Sequence, residues 1–124
     1  MTTSPEATAR LLQTELATRG WRVGAIADWR DTGWGFACER DAARMEVVIA
    51  RSERVSWFLQ VAPVYRPGAL GKLLRRAPSA SPDQCHELAA VVHEILAAEQ
   101  AFATVEWRWA GPPRLPVARK ISTR

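Results

Sequence analysis

The side chains that could do chemistry are few, and their spacing limits what they can do. His86 and His93 stand seven residues apart in a predicted helix, on one side of it but separated by about 10.5 Å along the axis. A single metal ion needs helical histidines three or four apart, so this pair is not a metal site. Glu87 and Glu94 repeat the interval on another stripe, expected to face water. Cys85 adjoins His86, but neighbouring helix residues do not face each other, which leaves the thiol without a base.

Cys38 and Cys85 belong to no closely spaced Cys or His cluster; they read as two free thiols in the core of a protein kept in a reducing compartment. Gly33-Trp34-Gly35 is only a fragment of a glycine motif, and no nucleophile elbow, Walker loop or dinucleotide fingerprint occurs. No residue is therefore assigned as catalytic, metal-binding or cofactor-binding, and the expectation is a protein that is not an enzyme.

What remains is recognition chemistry. Trp107 and Trp109 flank Arg108 on a predicted strand, and tryptophan and arginine are the commonest interface anchors. Ile26, Val48 and Phe58 interrupt the polar residues Arg22, Arg30, Arg44, Glu46, Gln60 and Arg108 on the expected outer sheet face, a mixed surface suited to a protein partner. Lys72, Arg75 and Arg76 lie in a basic stretch with no acid between Glu53 and Asp83. These residues are the partner-binding candidates.

The charge balance needs locating before it is interpreted. The 124 residues hold 17 Lys and Arg against 13 Asp and Glu. From Gly111 onward come Arg114, Arg119, Lys120 and Arg124 and no acid, so the preceding body is neutral at 13 of each sign. A basic loop at 66–76 and a basic C-terminal segment could clamp nucleic acid, the main alternative to a protein partner. RNA-binding platforms expose their aromatics, however, and the six tryptophans here fall in core register. A small enzyme without a recognisable motif is a second alternative.

The elements that position these residues follow from periodicity. Ser4 and Pro5 start a helix that Gly20 stops. Trp21, Val23, Ala25, Ala27 and Trp29 alternate with Arg22, Gly24, Ile26, Asp28 and Arg30 as one strand. Trp34–Cys38, Met45–Ile49 and Val55–Val61 continue the alternation, joined by connections so short that they make an antiparallel meander, with Asp41-Ala42 as one reversal. A long loop follows Pro63. Ser81, Pro82 and Gln84 then spell a capping box, and Cys85, Leu88, Ala89, Val92, Ile95 and Leu96 give the second helix an apolar stripe to about Glu99 or Ala101. Val105, Trp107 and Trp109 form a fifth strand. Gly111-Pro112-Pro113 ends it, and Pro113-Arg114-Leu115-Pro116 has a PxxP spacing.

These faces predict an α+β two-layer sandwich: a five-stranded, mainly antiparallel sheet with two helices on one face, in the order αββββαβ. Residues 1–110 would form the single domain and 111–124 a flexible basic tail. The longest uncharged stretch, Val55–Tyr65, is far short of the ~20 residues of a membrane span, and the N-terminus lacks a secretory pattern, so the expected location is the cytoplasm. In its order of elements the chain resembles small bacterial partner-binding modules, among them secretion-chaperone-like domains and immunity proteins that neutralise toxins. The resemblance covers element order alone and implies a protein partner without assigning residues.

Overall fold

A computed structural model of the chain describes residues 4–30, 33–51, 57–64, 80–99, 102–110 and 115–123. It is an α+β structure: among the described residues two helices pack on an open sheet in which every strand pair is antiparallel.

Helix α1 (Pro5–Thr18) starts where Ser4 Oγ accepts the Ala7 N–H at 3.1 Å, and the chain leaves it through Gly20 at φ 91°, a backbone glycine adopts without strain. Helix α2 (Pro82–Ala98) carries the capping box read from the sequence: the Gln84 N–H donates to Ser81 Oγ and the Ser81 N–H to Gln84 Oε1. Leu12 and Leu16 of α1, and Cys85, Leu88, Val92, Ile95 and Leu96 of α2, share one core.

The strand segments are β1 (Arg22–Val23), β2 (Ala27–Trp29), β3 (Gly33–Arg40), β4 (Ala43–Arg51), β5 (Trp57–Pro63), β6 (Phe102–Thr104), β7 (Trp107–Ala110) and β8 (Leu115–Thr123). The meander is present: β1 and β2 pair with β3, β3 with β4, and β4 with β5. Phe36 and Cys38, Met45, Val47 and Ile49, and Trp57, Leu59 and Val61 alternate into the core beneath the helices. At the β3–β4 reversal Asp41 and Ala42 both have positive φ, 52° and 66°, the conformation of a two-residue type I′ turn.

Three expectations need correcting. The single strand Trp21–Arg30 is two segments. Arg22 and Val23 face Glu39 and Cys38, whereas Ala27, Asp28 and Trp29 face Gly35, Trp34 and Gly33, so one extra residue is inserted between them. The insertion follows Gly24, whose N–H donates to the Ala37 carbonyl and whose own carbonyl accepts Gln13 Nε2 from α1 at 2.7 Å. Because side-chain direction has period two, the extra residue exchanges the faces beyond it. Ile26, expected outside, packs against the core, and Trp29, expected inside, lies on the opposite face.

The predicted fifth strand is likewise two segments, β6 and β7, both paired with β8. The expected flexible tail is itself a strand: Leu115–Thr123 is β8, with Val117, Ala118 and Ile121 buried. Residues 117 and 118 pair with β5 and also with β7, so β8 lies between them. Since β5 and β7 are each antiparallel to β8, they run parallel to each other, with α2 in the connection and the last strand inserted between. Among the described residues the sheet thus has eight segments at six strand positions, more than the five expected, and both edge positions are interrupted, a feature that discourages edge-to-edge pairing.

Candidate functional site

A cleft of about 390 Å³ opens between α2 and β7, lined by His86, Ala89, Ala90, His93, Glu94 and Trp107. Helical geometry explains its shape. His86, Ala89, Ala90, His93 and Glu94 recur at intervals of three and four on one side of α2, so two alanines form a floor with an imidazole towards each end. Trp107 is the wall. Its place opposite Ala118 in the β7–β8 register puts it on the helix-bearing side of the sheet, half-buried against the core. Its indole Nε1–H donates to His93 Nδ1 at 3.1 Å, which fixes the ring and leaves Nε2 of the neutral imidazole to carry the proton.

The electrostatics around the cleft are uneven. Glu94 has Arg19 of α1 at 3.9 Å, an exposed pair, and Arg108 on β7 is exposed with Glu106 at 3.4 Å. The cleft holds no metal cage: among the described residues no three of His, Cys, Asp and Glu gather to hold an ion.

The other sheet face is organised differently from expectation. Register aligns Trp29, Gly33, Ala50 and Phe58 in one row across four strands. The Trp29 and Phe58 rings meet edge to face at 5.8 Å, and Arg30 lies over the Trp29 ring at 4.9 Å. The next row runs Ala27, Gly35, Val48, Gln60, Val117 and Arg108. Val48, expected as an exposed apolar spot, is only 4% exposed and Ala50 is fully buried. Of the apolar trio expected on this face, only Phe58 remains there partly exposed, already engaged by Trp29. Beyond the aromatic row a depression of about 190 Å³ lies over the Gly24 insertion, where Arg44 pairs with Glu39 at 3.5 Å.

The remaining candidates divide. Trp107 walls the cleft, whereas Arg108, the next residue of β7, falls in the outer-face row with Val117, and Trp109 is placed in β7 opposite Pro116. Lys72, Arg75 and Arg76, with the predicted loop at 66–76, lie outside the described residues. His86, Ala89, Ala90 and His93 are absent from the partner-binding residues expected from the sequence. The one signal that points to them is the seven-residue histidine repeat, which fits no metal but does mark the two ends of the cleft.

Cys38 on β3 and Cys85 on α2 are both free and buried in the core. Burial, reinforced by the charge Cys85 would carry, pushes the Cys38 thiol up to about 12; burial pushes Cys85 up to about 11. Neither is an activated nucleophile, because the thiolate is the reactive form and both sites suppress it. Among the described residues no helix is long and apolar enough to cross a membrane. Comparison of the chain with protein-family models, with curated proteins and with solved structures finds no match.

Proposed function

We propose that this protein is a small, non-enzymatic, cytoplasmic protein-binding module whose docking site is the cleft between α2 and β7. The observation that carries the reading is Trp107: a large aromatic held half-exposed by its bond to His93, walling an open cleft floored by Ala89 and Ala90. Tryptophan in such a position gives a partner broad apolar contact at little conformational cost, because the ring is fixed before binding. The outer sheet face supports the reading by contrast, since its aromatic pair closes over its own small residues.

The test is affinity capture with the tagged protein and its Ala90→Phe variant. Ala90 is an exposed helix residue, so a phenylalanine there fills the cleft while changing stability by only about 0.5 kcal/mol. A stoichiometric partner recovered by the parent and lost by the variant is the expected result. Equal recovery by both proteins would place docking elsewhere.

A further inference from the structure

We infer that the cleft accepts a segment of chain whose apolar anchor side chains are flanked by lysine or arginine, an inference that rests on the reading of this cleft as a protein-docking site. Along α2 the exposed residues Asp83, Glu87, Ala90, Glu94 and Ala97 recur at intervals of four and three and form one stripe. The cleft occupies one flank of that stripe, with Trp107 as its wall; the three carboxylates make the opposite shoulder. Helix α2 contains no lysine or arginine to balance them.

Among the described residues the neighbouring elements bring little compensation. Arg19 of α1 lies 3.9 Å from Glu94, and Arg108 of β7 is held by Glu106. Among the described residues the shoulder therefore carries an excess of negative charge beside an apolar floor. An anchor side chain would gain by leaving water for the Trp107 and alanine surface, and an acidic flank would be repelled. A basic flank instead pairs with the shoulder at the rim, where each exposed pair contributes about 1.5- to 5-fold in affinity. Ala90 and Ala97 carry no bulk that would hold a backbone away. The histidines at either end are about 10.5 Å apart along the axis, a length matched by roughly three residues of extended chain or two helical turns, so the anchors would lie two to four residues apart in an extended segment and about seven apart in a helical one.

Selection from a displayed library of random 12-residue peptides tests this, with the full-length protein as target and Ala90→Phe for counter-selection. Selected peptides are then titrated by fluorescence anisotropy against the parent, Ala90→Phe and Glu87→Gln/Glu94→Gln, with circular dichroism showing that each variant is folded. Peptides that need the open cleft, carry lysine or arginine beside apolar anchors, and lose about 3- to 10-fold in affinity with the glutamine variant are expected. Cleft-dependent peptides that are neutral or acidic in their flanks, or indifferent to Glu87 and Glu94, would overturn the basic-flank inference while leaving the docking site standing. Recovery only of peptides indifferent to Ala90→Phe would overturn both.

Discussion

Trp29 and Phe58 stand three strands apart in the sheet, yet their rings meet edge to face at 5.8 Å. They can do so because the two residues between them in the row are Gly33 and Ala50. A Cβ on Gly33 would lie 2.6 Å from the Ala50 Cβ and 2.9 Å from its Cα, and against the Ile49 carbonyl oxygen. Gly33→Ala should therefore destabilise the protein by about 1–3 kcal/mol through overpacking. A double-mutant cycle of Trp29→Ala and Phe58→Ala should show coupling of about 0.5–1.5 kcal/mol. Urea unfolding measures both, and a neutral Gly33→Ala would mean that the strands are not so closely apposed.

The β3–β4 turn offers a gain in stability. Ala42 sits at φ 66°, where its Cβ costs about 1–2 kcal/mol and glycine is at ease. Ala42→Gly turns Asp41-Ala42 into the Asp-Gly pair that type I′ turns favour and should raise the urea midpoint by an amount worth about 1 kcal/mol. A lowered midpoint would contradict the turn assignment.

Strand β8 should be indispensable. It pairs with β5, β6 and β7 and buries Val117, Ala118 and Ile121. A chain ended after Ala110 should lose cooperative thermal unfolding and near-ultraviolet dichroism. If it unfolds as sharply as the full chain, residues 115–123 are an appendage and β8 does not join β5 to β7.

The buried thiols set an alkaline limit. Their folded values, about 12 for Cys38 and about 11 for Cys85, lie above the ordinary thiol value of 9.0. The unfolded chain therefore releases these protons first as pH rises. Their contribution to stability should be intact below pH 9 and lost as pH rises through about 11 and 12. Unfolding measured from about pH 8 to 11 should show this decline, and Cys38→Ala/Cys85→Ala should decline less. A thiol reagent should label both only in denaturant; rapid labelling of the native protein at about pH 8 would contradict their burial.

Much of this fold is legible in the residues, and the failures have local causes. The capping box at Ser81 and Gln84, the Gly20 stop and the alternation from Trp34 to Val61 each reflect a preference that tertiary packing reinforces. The face exchange beyond Gly24 is not legible from alternation, because the alternating pattern continues through it; an isolated glycine within a strand is its one signal. Strand β8 is hidden by Pro116 among basic residues, a pattern that argues against a central strand. Its pairing to β5 ends at Val117, one residue short of the proline, and Pro116 faces Trp109 on the other side. Trp107 stands out in the sequence as a possible anchor, but the cleft beside it depends on α2 and β7 coming together across the core. Residues fourteen apart in the chain, His93 and Trp107, carry no local sign of that meeting.

The central claim is that partners dock beside Trp107. Its most direct test is the indole N–H region of the ¹⁵N-labelled protein, assigned with Trp107→Phe and Trp29→Phe and followed as the captured partner is added. The Trp107 signal should move or broaden at stoichiometric partner while the Trp29 signal stays in place. Movement of Trp29 with Trp107 unperturbed would contradict the claim and assign recognition to the outer sheet face.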